Sequence, residues 1–438
     1  MSINVSGKVS INANVGTTPA AGIQPGDIIQ YSGTDLPAGF LRCNGFEESQ
    51  LTYPDLYAAI GSTYTPASNT YLYGKPYCHQ YNTNFAQTSN ITGWGAVGGL
   101  PAGRATGSAI VTKSRVYYLG GFTTNTPATT ATVYTAPITA GGFIGTWTTG
   151  TSLPTPLRNS SAIITNSRVY LLGGINSADA ATSVVYTAPI NADGTLGTWA
   201  AGTSLPAALG VSQAIVTKSR VYLLGGLNSA GASVSTVYTA PINVNGTLGA
   251  WTTGTPLPVA IRGGQAFVTN SRVYYCGGLT TATVATVYTA PINADGTLGA
   301  WTTSTPLPSA QRQQQSLVTN SHVFLIGSYD GVGVNVMHIA PINADGTLGA
   351  WVVGGTIGAN LGNSSLIATS SSVYCIGGLS TTPVTTVMRA NFAGGANDYT
   401  APSYTHIPSP ATSGSFTLPL IPNASDGGTG TLFSLIKT

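Results

Sequence analysis

The chain has 438 residues and a formal net charge of +3, and only 6% of its residues are charged, against about 25% in ordinary soluble proteins. So small a charge, with no basic run, excludes a nucleic-acid partner, and an apolar content of 42% that falls in regular runs excludes disorder. A surface of Thr, Ser and Asn in place of Lys and Glu fits extracellular or virion β-structure. No stretch approaches the roughly 18 apolar residues of a membrane span, so no membrane insertion is expected. The opening Met-Ser-Ile-Asn-Val-Ser has no charged segment followed by an apolar core, so no signal peptide is expected.

Residues 1–22 are polar and β-prone, with Ile3, Val5, Val9, Ile11 and Val15 in alternation. They form an N-terminal attachment segment, expected to pair with another chain. Residues 23–77 come next. They predict a strand at 27–31, a turn at 36–39, a second strand at 40–43, a turn at Asn44-Gly45 and a short helix. Pro54 suits the first helical turn, where its missing N–H costs nothing, and Gly61 ends the helix after Leu56, Ala59 and Ile60 share one face. The order Pro25-Gly26-Asp27-Ile28, Pro37-Ala38-Gly39-Phe40-Leu41, Cys43-Asn44-Gly45 and Thr52-Tyr53-Pro54 resembles the phage tail collar domain found at the tips of tail fibres. In that family a Phe-x-Leu-Pro segment follows the helix closely. Here it stands at Phe416-Thr417-Leu418-Pro419, and Leu435-Ile436-Lys437-Thr438 resembles the family's closing strand. The collar domain therefore reads as split, with its first half at 23–77 and its second at 406–438.

Residues 78–405 fill the gap, with linkers flanking an array at about 92–393. The six tryptophans, Trp94, Trp147, Trp199, Trp251, Trp301 and Trp351, recur every 50 to 53 residues. The text between them nearly repeats, which is the mark of stacked supersecondary units that cannot bury an apolar face alone. Each unit holds four short runs rich in Val, Ile, Tyr and Thr, bounded by Gly, Pro and Asn. Four strands in about 50 residues is a propeller blade. A Gly-Gly doublet follows strand two (Gly120-Gly121, Gly173-Gly174, Gly225-Gly226, Gly277-Gly278, Gly377-Gly378), a Tyr stands in strand three (Tyr134, Tyr186, Tyr238, Tyr288) and a Trp opens strand four. In these points the unit resembles a Kelch repeat. It departs from that pattern at Gly327-Ser328 and His338, and in its longer Tyr-to-Trp stretch.

The last unit has no closing Trp, while Trp94 has no three strands before it. The strand around Trp94 should therefore complete the blade of residues 360–392 and close a ring of six blades. The fold expected is all-β, a six-bladed β-propeller inserted into a small split α+β tail collar domain. A ring closed by its own first strand brings its entry and exit together, as an insertion requires.

Groups capable of catalysis are few. His322 and His338 replace Arg and Tyr at repeat positions and read as structural, and Cys276 and Cys375 read as small buried hydrophobes. His79 and His406 flank the array and are weak metal candidates; neither a metal nor any other cofactor is expected. The turns at 191–194, 293–296 and 343–346 carry too few carboxylates for calcium. The array holds only Asp179, Asp193, Asp295, Asp330 and Asp345 and no Glu, too little for glycoside hydrolysis, so no enzyme is expected.

Arginine is the more promising residue. Arg104, Arg158, Arg262 and Arg312 lie in the loop that enters strand one, where guanidinium groups near the channel mouth would bind an anion or acidic sugar. The plainer alternative is that each satisfies loop carbonyls. Arg115, Arg168, Arg220 and Arg272, in the strand one–two hairpin, are expected to be solvated at the opposite rim.

The collar resemblance implies a phage tail-fibre or receptor-binding protein of the virion. It would be a homotrimer, joined to tail or baseplate proteins, and would present the propeller to a host-surface glycan or protein. The alternatives are an adhesin of a contractile injection particle or surface fibre and, less favoured, a fibre-borne glycan hydrolase.

Overall fold

A computed structural model describes residues 91–392, apart from 124–128, 140, 166, 218, 244, 294, 320, 330–332 and 370–371, together with seven short strands outside that range. The chain divides into two units, one of Met1–Asn69 with Thr405–Thr438, the other Thr70–Tyr404.

The second unit is the propeller. Its six sheets each have four strands, all antiparallel. Blade I comprises Ser108–Val111, Arg115–Leu119, Val133–Pro137 and Thr148–Thr149. Blade II comprises Ser161–Ile164, Arg168–Leu172, Val185–Pro189 and Ala200–Ala201. Blade III comprises Gln213–Val216, Arg220–Leu227, Ser233–Pro241 and Thr252–Thr253. Blade IV comprises Gln265–Val268, Arg272–Cys276, Val287–Pro291 and Thr302–Ser304. Blade V comprises Gln315–Val318, His322–Tyr329, Gly333–Pro341 and Val352–Thr356. Blade VI takes Ser365–Ala368, Ser372–Ile376 and Val387–Phe392, and its fourth strand is Ile91–Val97 from the start of the array. That strand pairs antiparallel with Val387–Phe392, with Gly95 opposite Arg389, so the ring closes as the tryptophan spacing requires. Strand one of every blade touches strand one of both neighbours, which places these strands around the axis.

Apolar residues run continuously along strands one and two because each blade is packed on both faces. Side chains of a strand alternate between faces. Accordingly Val169 and Leu171 of blade II join the apolar cluster shared with blade I, while Tyr170 and Leu172 join the cluster shared with blade III. Among the described residues the core is six such clusters, one at each blade interface, and no single centre. Burial is therefore obtained only by stacking.

The Gly-Gly doublet has a local cause. Gly173 and Gly174 adopt φ of 55° and 112°, a region that side chains with a Cβ avoid. A Cβ on Gly173 would overlap the Leu209 carbonyl, and the Gly174 N–H donates to that same carbonyl at 2.8 Å. The doublet thus fastens strand two to the incoming loop of the next blade. In blade V, Gly327 keeps φ of 65° and Ser328 instead continues the ladder opposite Val334.

In the first unit, Ile3–Val5, Lys8–Ile11, Ile28–Tyr31, Phe433–Lys437 and Phe40–Arg42 form one sheet in that order. The C-terminal strand lies antiparallel between the two predicted N-terminal strands, with Leu435 opposite Ile29 on one side and Arg42 on the other. Ser415–Thr417 pairs with Glu47–Ser49. Within the N-terminal segment, Ile3–Val5 and Lys8–Ile11 pair as a hairpin, and the second of these strands pairs parallel with Ile28–Tyr31. The predicted helix at 54–61, Cys43, Cys78, His79 and His406 lie outside the described residues.

Candidate functional site

The loops after strand two and the loops into strand one meet at one end of the propeller. Short bridges join them in successive blades: Ala105 to Phe122, Arg158 to Ile175, Gly210 to Leu227, Arg262 to Leu279 and Gly362 to Leu379. In blade V the Tyr329 N–H donates to the Arg312 carbonyl at 3.0 Å. The segments that vary most between repeats therefore share one surface, the loop face.

A belt at the entrance to strand one underlies this face. Thr106, Asn159, Val211, Gln313 and Asn363 all have positive φ, between 49° and 56°, and Gly263 at the same position has 61°. Each of five N–H groups donates to the equivalent carbonyl of the preceding blade: Thr106 to Asn363 at 2.9 Å, Asn159 to Thr106 at 2.8 Å, Val211 to Asn159 at 3.1 Å, Gly263 to Val211 at 3.2 Å and Gln313 to Gly263 at 2.6 Å. Left-handed backbone at a residue other than glycine costs about 1–3 kcal/mol. Here the circular ladder around the axis offsets it.

The four arginines singled out in the sequence do not form one set. Arg104 stands one register earlier than the other three. Its carbonyl accepts the Gly378 N–H at 2.7 Å, as the Leu157 and Leu209 carbonyls accept Gly121 and Gly174. It therefore fills the position of a core leucine and is only 5% exposed. Its guanidinium lies 4.9 Å over the Tyr134 ring and donates to the Tyr134 hydroxyl at 2.9 Å. This corrects its assignment to the channel mouth. Arg158, Arg262 and Arg312 do occupy the loop face, and each is engaged there. Arg158 pairs with Asp179 at 2.8 Å. Arg262 donates to the Ser233 hydroxyl of blade III at 3.2 Å. Arg312 donates through Nε to the Tyr329 carbonyl at 3.0 Å.

At the other end the turns are almost constant, and each reaches back to the preceding blade. The Gly194, Gly246, Gly296 and Gly346 carbonyls accept the hydroxyls of Thr112, Thr165, Thr217 and Thr269 at 2.6, 2.7, 3.2 and 2.8 Å. Tyr170, Tyr222 and Tyr274 donate to three of the same carbonyls at 3.2, 2.8 and 3.1 Å. The aspartates of these turns fold them: Asp193 Oδ1 accepts the Thr195 N–H and hydroxyl at 2.9 and 2.7 Å. Those bonds, and more weakly Arg115, hold Asp193 below the usual carboxylate range; Asp295 and Asp345 are lowered by their own turn threonines in the same way, with Arg220 and Arg272 as the weaker influence.

The hairpin arginines differ from expectation too. They are half-buried rather than solvated, because a strand-three threonine holds each Nε. Arg115, Arg168, Arg220 and Arg272 donate to Thr135, Thr187, Thr239 and Thr289 at 2.9, 2.9, 3.0 and 3.0 Å. Arg168 and Arg115 line grooves between neighbouring blades, of about 330 Å³ and 270 Å³ respectively.

Cys276 and Cys375 are both buried. Burial pushes the Cys375 thiol up to about 11, opposed by its hydrogen bond with Ser364, so it is not a reactive thiolate. No cluster of three or more His, Cys, Asp or Glu able to hold a metal occurs among the described residues.

Residues 26–72 match the Phage Tail Collar Domain. A tail collar domain and a six-bladed propeller therefore share this chain, and the collar marks it as a component of a phage tail. No curated protein matches the sequence. Among 406 solved chains with similar structure, YjhT is 12% identical with a TM-score of 0.53, covering 66% of this chain and 94% of that one. At that identity the likeness shows the propeller fold alone.

Proposed function

We propose that the protein is a tail-fibre receptor-binding protein. The collar attaches and trimerises it on tail or baseplate proteins, and the propeller's loop face contacts a glycan or protein of the host surface. The observation that carries this reading is the collar domain at residues 26–72. The construction of the propeller supports it. Variable loops gather on one face over a rigid belt, which is how scaffolds present binding residues. Arg158, Arg262 and Arg312 are the contacts favoured for an acidic group. We also propose that the propeller binds without turning over its ligand. Asp193, Asp295 and Asp345 are bound up in turn-folding and Asp179 in an ion pair, so these carboxylates already have structural partners.

Adsorption of the full-length protein to host cells tests this reading. Replacing Arg158, Arg262 and Arg312 together with Ala should weaken adsorption and flatten its dependence on salt. Adsorption unchanged in strength and salt dependence would reject the loop face as the contact surface.

A further inference from the structure

Between blades II and III lies the larger of the two grooves, enclosing about 330 Å³. Small-ligand clefts run from roughly 300 to 1,000 Å³, so this one suits a single small group. Arg168, Tyr170 and Thr187 of blade II line one wall, and Leu248 and Trp251 of blade III line the other. The Trp251 indole is pinned in place, its Nε1 donating to the Thr203 carbonyl at 3.2 Å.

Arg168 donates through Nε to the Thr187 hydroxyl at 2.9 Å, and its guanidinium also lies beside the Tyr170 hydroxyl, at the wall of the groove. Two coplanar Nη donors match the two oxygens of a carboxylate. The other blades provide internal controls. His322 and Ser372 open strand two in blades V and VI, and those blades form all the same, so an arginine is not needed to build a blade. Arg115, Arg220 and Arg272 each have a turn aspartate close enough to interact: Asp193, Asp295 and Asp345. Blade III instead carries Asn245 in its turn, so the turn facing Arg168 contributes no charge. Of the four hairpin arginines, Arg168 alone meets a neutral turn.

We propose that the groove between blades II and III binds a carboxylate-bearing sugar residue. Arg168 takes the carboxylate, the exposed Thr203 hydroxyl serves a ring hydroxyl, and Leu248 with the exposed edge of Trp251 receives the apolar C–H face. The proposal rests on the receptor-binding reading for the source of the ligand, a host glycan, and not on the loop face.

The test is titration of the full-length protein with trigalacturonate, read by tryptophan fluorescence and calorimetry, with maltotriose and inorganic phosphate as comparison arms. Trigalacturonate should bind saturably and the other two at least tenfold more weakly. Arg168→Ser, which copies blade VI, should weaken binding tenfold or more. Asn245→Asp, which copies the turn of three other blades and so keeps the fold, should weaken it severalfold by adding a competing carboxylate. The proposal is overturned if trigalacturonate does not saturate, if both variants bind like the parent, or if maltotriose or phosphate binds as well. Host-cell adsorption separates the two readings. Loss in the loop-face triple variant, with trigalacturonate binding lost by neither the parent nor that variant, supports both. Loop-face loss with no trigalacturonate binding by the parent removes only the groove.

Discussion

At one end of the propeller each Asn-x-Asx-Gly turn is tied by side chains to the blade before it; at the other, a backbone ladder joins neighbouring blades, and side chains such as Ser108, Ser161 and Arg262 add to it. The turn end uses Thr165, Ser167 and Tyr170 of blade II on the Gly246 and Asn245 carbonyls of blade III, at 2.7, 2.6 and 3.2 Å. The loop end uses a backbone ladder through Thr106, Asn159, Val211, Gly263, Gln313 and Asn363, positions that hold five different residue types in six blades. A link donated by a side chain fixes the donor residue, whereas a link made by backbone at both ends leaves both side chains open to change. This is why the repeats agree at the turns and diverge at the loops. Many loop-end side chains can change without loosening that ladder.

Ring closure gives the largest effect, because both ends depend on it. Deleting residues 90–97 should expose an unpaired edge on Val387–Phe392 and remove Ile91 from the core cluster between blades V and VI. The variant should aggregate on size-exclusion chromatography and lose its cooperative thermal transition. A monomer melting like the parent would refute closure by this strand. Next in size is a matched pair of glycines. Gly296 at the turn end has φ of 81° and a Cβ there would overlap the Ser219 hydroxyl, while Gly231 at the loop end has φ of 77° and nothing within 4 Å. Gly231→Ala should cost about 1 kcal/mol, the backbone term alone. Gly296→Ala should cost more, about 2–3 kcal/mol, since the overlap also displaces the Ser219 hydroxyl from its bond to the Asp295 carbonyl. Urea denaturation measures both, and equal losses would abolish the distinction between the ends.

The propeller was legible because its pattern obeys two simple rules. Side chains alternate across a strand, and a blade packs on both faces, so the apolar runs and their repeat sufficed to place the strands. Trp94 without three preceding strands gave the closure. Register was harder. Arg104 follows Leu100 by four residues, as Leu157 follows Leu153, while Arg158 follows Leu153 by five. Counting from the leucine would have separated Arg104 from the others, but the chemical likeness of the arginines concealed it. The left-handed belt had no residue signature, because the feature lies in the backbone and glycine marks it in one blade only. The hairpin arginines were misplaced because their threonine partners stand on strand three, 17 to 20 residues away.

Blade V extends the comparison from the rims to the interior, for it alone has His338 at the strand-three tyrosine position. His338 is 1% exposed and its Nδ1 has no partner among the described residues. Burial holds its pKa below the ordinary imidazole value of 6.5. The folded state therefore keeps His338 neutral while the unfolded chain takes up a proton as pH falls through 6.5. Stability should be flat above that pH, as far as this group is concerned, and should fall below it until the lower folded pKa is reached. His338→Tyr, which restores the residue of blades I to IV, should reduce the loss of melting temperature between pH 7 and pH 5. It should not abolish it, since burial also lowers the pKa of His322. An unchanged pH slope would show that His338 does not set it.

The smallest effect on stability should come from Arg158, at the loop end. Its pair with Asp179 lies at 2.8 Å, but the Asp179 side chain is 72% exposed. Exposed pairs contribute at most about 1 kcal/mol, because water screens the charges and ordering two side chains costs entropy. Its place in the fold is held by the backbone bridge to Ile175, which survives any side chain except proline. Arg158→Ala should therefore unfold within about 1 kcal/mol of the parent. If the loop face is the contact surface, the same variant should lose adsorption to host cells. A large loss of stability with adsorption intact would reverse both halves of the comparison, making the loop end structural and leaving recognition to another surface of the propeller.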